Sequence, residues 1–289
     1  MIGLIKKILN KEKNSSLFFL KFKTLKEKTK IDKIFKSITD FSENSEVRYV
    51  GGCIRKILNK EEVDDIDLAT NIEPSKILEI LKNNNIAFYE SGIEHGTVTV
   101  KIDNFTFEIT SLRKDISTDG RHAKVQFSDN WYEDASRRDF TFNSIYADLN
   151  GNLYDPFNGK KDLENGEVKF IGDAETRIKE DYLRILRYIR FFLNYSKKKH
   201  NSEIQKIIRQ NISGVAQISP DRLLNELKKL FSASGFLKLS KDKFCLEIIN
   251  LIFPQLKNVL IFKNVKSHVK EVIKSNDFIF LISLMIIDE

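Results

Sequence analysis

The chain has 289 residues, 41% of them hydrophobic, which excludes a disordered tail and gives enough material for two or three packed modules. Its net charge of +7 favours a polyanionic partner, nucleic acid foremost, over an acidic one; a lysine-rich solvated surface is the plain alternative. Two cysteines, Cys53 and Cys245, lie far apart without metal-ligand spacing, so the chain reads as cytoplasmic and without a disulfide framework.

Met1 to Asn10 has a broken apolar stretch and no small-residue cleavage site, and does not read as a signal peptide. Residues 1–45 are lysine-rich and helical in pattern, with Phe18, Phe22, Leu25, Ile31, Ile34, Phe35 and Ile38 at helical spacing. Val47–Val50 is a short strand, closed by the pair Gly51-Gly52, and a short helix Ile54–Leu58 follows. Next comes Val63-Asp64-Asp65-Ile66-Asp67-Leu68. In a strand alternate residues share a face, so Asp65 and Asp67 point together while Ile66 and Leu68 enter the core. Paired carboxylates repel unless a cation lies between them, and Mg²⁺ commonly joins such a pair to substrate phosphates. Glycines let backbone N–H groups approach those phosphates, and Arg55 stands three residues beyond Gly52. A bare D-x-D is usually a solvated strand edge; the upstream glycines and arginine turn it towards phosphate chemistry.

Pro74 opens a helix to about Asn83, Ala87–Tyr89 is a strand, and Thr97–Ile102 alternates cleanly before an Asp103-Asn104 turn and a returning strand, Phe105–Thr110. Glu108 on that strand is a candidate third carboxylate; an ordinary exposed side chain is the alternative. Arg113–Gln126 reads as a mobile charged loop centred on Asp119-Gly120-Arg121-His122. Arg137 and Arg138 suit triphosphate contacts, and Asp139 and Asn143, four apart, would share a helix face and hold a ribose hydroxyl; ordinary helix capping is the alternative. A hairpin, Tyr146–Leu149 with Leu153–Pro156, precedes a turn at Phe157–Leu163, and from Ala174 the chain is mainly helical.

In Glu180–Phe191, Asp181 and Arg184 are three apart and would share a helix face, with Arg187 further along. As a surface ion pair they are worth little. As a base-reading pair they match cytosine and adenine, which both present an acceptor nitrogen beside an amino donor, and they clash with guanine and uracil. Ser219 caps a helix begun by Pro220, in which Arg222 and Glu226 form an i, i+4 pair. A break at Ser232–Gly235 leads to further helices, the last an apolar run, Phe278–Ile287, too short to span a bilayer and read as a buried helix.

These motifs, in this order from about Val47 to Leu230, resemble the class II tRNA nucleotidyltransferases (CCA-adding enzymes) and bacterial poly(A) polymerases. The resemblance implies an α+β fold: a nucleotidyltransferase head on a mixed β-sheet, residues 1–165 with an N-terminal helical extension; a helical neck with the base-reading motif, 166–235; and a short helical body or tail, 236–289. It implies Mg²⁺ on Asp65 and Asp67, with Glu108 as a catalytic partner. It also implies nucleotide contacts from Gly51, Gly52, Arg55, Arg137, Arg138, Asp139, Asn143, Asp181, Arg184 and Arg187, and a neck brace at Arg222 and Glu226. The expected reaction is transfer of C and A from CTP and ATP to the 3′ end of tRNA with release of pyrophosphate. Ile86–Val100 lacks the arginine-rich segment common in poly(A) polymerases, and the intact Asp115–Gln126 loop favours complete CCA or terminal-A addition over CC-only addition. Two departures stand out: Lys56, where the family usually has an acidic residue, and a short C-terminal part. A poly(A) polymerase and a non-catalytic RNA-binding relic are the alternatives.

Overall fold

The structure is a computed structural model, described here for residues 18–90, 92–118, 123–232, 234–264 and 278–286. The chain divides into two compact units, Met1–Ser117 with Lys124–Lys161, and Thr118–Ala123 with Asp162–Glu289.

In the first unit a helix over residues 18–29 (α1) and α2 (Asp32–Thr39) precede the sheet. Phe22, Ile31, Ile34 and Ile38 are fully buried, as helical spacing of apolar residues requires. The strands are β1 (Val47–Val50), β2 (Ile66–Thr70), β3 (Ala87–Tyr89), β4 (Thr97–Ile102) and β5 (Phe105–Ser111). Next in the chain come a ribbon of β6 (Arg113–Thr118) and β7 (Ala123–Phe127), then β8 (Tyr146–Ala147) and β9 (Leu153–Tyr154). Seven of them form one sheet in the order β3-β4-β5-β2-β1-β8-β9. It is mixed: β2 and β5 run parallel, and the other neighbours are antiparallel. The parallel pair needs a long connection, which α4 (Pro74–Asn83), β3 and β4 supply. Helix α3 (Gly52–Leu58) follows β1 directly, and α5 (Trp131–Ser136) follows the ribbon.

Two expectations are corrected here. Arg113–Gln126 is largely a paired two-stranded ribbon and not a loop; so many charges hide the alternation, although Ile116, Thr118, Val125 and Phe127 favour strand. Its centre, 119–122, lies outside the described residues. Phe157–Leu163 is not simply a turn, because α6 (Gly159–Asn165) begins inside it. The Asp155 carboxylate accepts the N–H groups of Gly159 at 2.7 Å and Lys160 at 2.9 Å, capping from upstream in place of an adjacent N-cap.

The second unit carries α7 (Ala174–Glu180), α8 (Leu183–Tyr195), α9 (Ser202–Asn211), α10 (Pro220–Ser232) and α11 (Lys243–Ile252). Asp173, Asn201 and Asp242 cap α7, α9 and α11 through side-chain oxygens. Ile185, Leu186, Ile189 and Leu193 of α8 and Leu227, Leu230 and Phe231 of α10 are buried. The run expected to be a buried helix is helical over Phe278–Ile286, but it buries only Leu281 and Met285; Ile279 is 70% exposed. Residues four apart share one face, and apolar composition alone does not distinguish a helix packed on one side from one packed all round. Among the described residues no helix is long and apolar enough to cross a membrane.

Gly159 shows how tightly the sheet's end is packed. A Cβ there would lie 2.1 Å from the Thr141 carbonyl oxygen. Gly159→Ala should therefore destabilise the protein by about 2 kcal/mol or more, read as a lower urea midpoint at unchanged slope.

Candidate functional site

The chain leaves β1 through Gly51, whose φ of +69° is a conformation that side chains rarely adopt. The Gly51 N–H donates to the Ile145 carbonyl at 3.2 Å. A Cβ on Gly52 would stand 3.8 Å from Arg55 Nη2 and 4.0 Å from Asp67 Oδ2, so the glycine backbone, the arginine and the carboxylate are immediate neighbours.

Asp67 lies in β2, and its register partner across the parallel pair is Glu108 of β5. Ile66, Leu68, Phe107 and Ile109 on either side are buried, so both carboxylates project from the opposite face. Asp65 is exposed and immediately precedes β2. The Asp67 carboxyl is pushed above its ordinary range by burial first and by Glu108 next; Arg138 opposes this, and Asp65 adds to it. A half-buried carboxylate raised by two acidic neighbours gains when a hard divalent cation arrives, so these donors fit one.

Lys56 forms an ion pair with Asp64, and Asp64 Oδ1 also accepts the Asp65 N–H at 2.9 Å. Lysine at 56 thus has its own acidic partner, one residue before Asp65.

Asp139 and Asn143 do not share a helix face. The α5 helix stops at Ser136, Phe140 is extended, and Thr141–Asn143 is a single 3₁₀ turn. Asp139 Oδ1 accepts the Phe140 N–H at 2.8 Å, which draws the backbone out of the helix. The two side chains still meet: Asn143 Nδ2 donates to Asp139 Oδ1 at 2.9 Å, and Arg55 Nη1 donates to Asn143 Oδ1. All three are buried.

Sequence reasoning missed Asp134, which is 1% exposed. Its carboxylate accepts Arg137 Nη2 at 2.7 Å, Arg138 Nη2 at 3.0 Å and the Tyr146 hydroxyl at 2.6 Å. Burial works against its charge, but Arg138, Arg137 and Tyr146 outweigh burial and hold the carboxyl far below its ordinary range. The signal was present in the spacing, since Asp134 precedes the two arginines by three and four residues.

In the second unit Asp181 and Arg184 do not share a helix face either. Asp181 is extended (φ −156°, ψ 104°) between α7 and α8, and Arg184 is in the first turn of α8. Asp181 Oδ1 caps the Leu183 N–H at 3.1 Å, and Oδ2 accepts Arg222 Nη2 at 2.7 Å. Arg184 Nη1 donates to Glu180 Oε2 at 2.6 Å and to the Arg177 carbonyl at 2.8 Å. Arg222 and Glu226 each reach past their own helix: Glu226, 3% exposed, accepts Arg190 Nε at 2.5 Å and lies 4.0 Å from Arg187 Nη1. Glu180 is the second residue missed; it also accepts Arg177 Nη1 at 3.0 Å. Burial opposes its charge, while Arg184 and Arg177 bring its pKa below the ordinary value.

A family model described as the Poly A polymerase head domain matches residues 47–169. The chain is 42% identical over 219 residues to CCA tRNA nucleotidyltransferase 1, mitochondrial, of Homo sapiens, covering 74% of this chain and 50% of that protein. It is 36% identical over 243 residues to a CCA-adding enzyme of Oceanobacillus iheyensis, covering 82% and 57%. The chain thus spans about half the length of the curated relatives it matches. The fold matches the Bacillus stearothermophilus CCA-adding enzyme solved in complex with CTP, with a TM-score of 0.63 at 23% identity over 83% of this chain and 67% of that one. It also matches a CCA-adding enzyme in complex with ATP, with a TM-score of 0.65 at 22% identity over 90% and 63%.

Two stability measurements follow from the charges. Because folding raises the Asp67 pKa, the folded state holds more protons, and stability falls as pH rises through the ordinary aspartate range near ~3.9. Asp67→Asn should raise the Tm at pH 7, by roughly 2–4 °C per kcal/mol of repulsion relieved, and should blunt any Tm gain from Mg²⁺. For Asp134 the sign is opposite. Its depressed pKa contributes stability that is complete above the ordinary aspartate range and is lost as pH falls below it. Asp134→Asn should cost about 3 kcal/mol at pH 7 and flatten that acid limb in urea titrations.

Proposed function

We propose that this chain, whose residues 47–169 match the Poly A polymerase head domain, transfers CMP and AMP from CTP and ATP to the 3′ end of tRNA, releasing pyrophosphate. The observation that carries this reading is Glu108 in register with Asp67, beside the Gly52 turn and Arg55. The named activities of the relatives, CCA addition and CCA tRNA nucleotidyl transfer, support it.

Asp65 and Asp67, with Glu108 beside them, would hold Mg²⁺. Held there, the ion would supply Lewis-acid chemistry, a lowered pKa at the primer's 3′-hydroxyl and neutralisation of charge on the departing pyrophosphate. Gly51 and Gly52 present backbone close to the triphosphate. Arg137 and Arg138, fixed by Asp134, meet its negative charge; Arg55, Asn143 and Asp139 form one buried hydrogen-bonded chain that orients the sugar. Holding donors in place before the reaction removes reorganisation from the barrier.

Asp181 and Arg184 select the base. Asp181 retains acceptor capacity beyond the bonds from Leu183 and Arg222, enough for the amino group shared by cytosine and adenine. Glu180 fixes the Arg184 guanidinium that donates to the ring acceptor, and Glu226 steadies Arg187 and Arg190 on the same helix. Basic surface grips the tRNA backbone, so binding weakens with salt. Two buried free thiols, Cys53 and Cys245, favour a reducing compartment such as the cytoplasm.

The test is extension of three tRNAs, one lacking CCA, one ending in C and one ending in CC, with CTP, ATP or both. Growth of all three to CCA is expected. Long A tracts on generic RNA would make the chain a poly(A) polymerase, and no extension by a folded, tRNA-binding protein would leave only a binding role. Asp65→Ala with Asp67→Ala should lower turnover by at least ~10³-fold with the fold intact. Arg184→Ala should reduce the preference for CTP and ATP over GTP and UTP by at least ~10-fold in kcat/KM; unchanged selectivity would remove the base-reading assignment.

A further inference from the structure

His200, Asp242 and Cys245 bring one ligand atom each within 4.8 Å of one another. They come from the segment before α9, from the N-cap of α11 and from the first turn of α11. No residue of the proposed nucleotide chemistry belongs to this group.

We propose that His200, Asp242 and Cys245 form a zinc site that braces the helical unit. His200 Nε2 lies 3.1 Å from each Asp242 carboxylate oxygen and 3.6 Å from Cys245 Sγ. Around a tetrahedral zinc with bonds of ~2.0 Å to nitrogen and oxygen and ~2.3 Å to sulfur, the nitrogen–oxygen and nitrogen–sulfur edges are about 3.3 and 3.6 Å. Both edges that meet at His200 therefore stand almost as a zinc ion would hold them; the Asp242–Cys245 edge is within 4.8 Å and would close towards the ion on binding. Imidazole, thiolate and carboxylate together select zinc over magnesium, which takes oxygen ligands.

The surroundings fix the ring as zinc sites do. His200 Nδ1 is 3.0 Å from the Tyr188 hydroxyl, the outer hydrogen bond that orients a ligating histidine. Phe192 stacks on the ring at 3.5 Å between centroids, and Phe244 meets its edge at 4.8 Å. Without metal, His200 Nε2–H donates to Asp242, and Cys245 is a fully buried thiol whose pKa burial pushes up. On binding, the Cys245 S–H proton leaves to solvent and an S–Zn bond forms. The Nε2 proton moves to Nδ1, which then donates to the Tyr188 oxygen. One proton is released per zinc, and the fourth position is left to water on the partly exposed Asp242 side. Tyr188 lies in α8 between Arg187 and Arg190, so the site ties that helix to α9 and α11.

The experiment uses the full chain, stripped with a chelator and titrated with Co²⁺ and then Zn²⁺. One equivalent of Co²⁺ should produce the visible bands of tetrahedral cobalt and a near-ultraviolet thiolate-to-cobalt band, both erased by Zn²⁺. Zinc should raise the Tm by roughly 5 °C at a hundredfold excess over its Kd, and Mg²⁺ should not. Cys245→Ser should remove the thiolate band, and His200→Ala should remove tight binding. A wild-type chain without a thiolate–cobalt band, or one whose Tm ignores zinc, overturns the site even where the variants do not fold. A band that survives Cys245→Ser overturns it as well. In either case the three residues would be a hydrogen-bonded brace alone.

Discussion

The parallel pairing of β2 with β5 is the constraint on which the head depends. It sets Asp67 against Glu108 while Ile66, Leu68, Phe107 and Ile109 fill the core. Because the side-chain period is two, a slip of β2 by one residue would turn Asp67 into the core and expose Ile66 and Leu68. Core packing therefore enforces the register, and the register brings the like charges together. Folding thus works against a repulsion that Arg138 and Arg55 relieve in part and a bound cation would relieve further, which is why the two properties pull against each other at Asp67.

A second device recurs in both units: a carboxylate that holds arginines ready. Asp134 fixes Arg137 and Arg138, Glu180 fixes Arg177 and Arg184, and Glu226 fixes Arg190 with Arg187 near by. A guanidinium carries five N–H donors in a rigid fork, so one anchored edge sets the direction of the others. Asp134 and Glu226 are almost fully buried, where their charge is tolerable only because it is paired. Each is thus a strong local constraint on the geometry of its arginines.

Much of the head was legible because its information is local. The glycine pair, Asp65-Ile66-Asp67 and the alternation of Thr97–Ile102 each declare themselves within a few residues, and Ala87–Tyr89 and Pro74–Asn83 fall where turn and cap signals put them. Illegibility came from two sources. Side chains that bond their own backbone changed the local geometry: Asp139 broke the helix expected through Asn143, and Asp181 ended α7 instead of continuing it. Other groups meet only through tertiary packing. Arg55 and Asn143 are 88 residues apart, and His200 and Asp242 are 42 apart, so no spacing rule reaches them. The charged ribbon β6–β7 was missed because its many charges mask the alternation of polarity that usually marks a strand.

The Lys56–Asp64 ion pair has a consequence for how this chain varies. Asp64 contacts the Asp65 backbone, so the charge at position 56 is felt one bond away from the proposed metal ligands. An acidic residue at 56 alone would face Asp64 with a like charge, and a lysine at 64 alone would face Lys56. Exchanging both restores the attraction with its polarity reversed. The two positions are therefore coupled: the effect of a charge change at either depends on the residue at the other, and modestly so because the Asp64 side chain is largely exposed. The lysine at 56 thus meets a carboxylate of this chain's own, eight residues downstream.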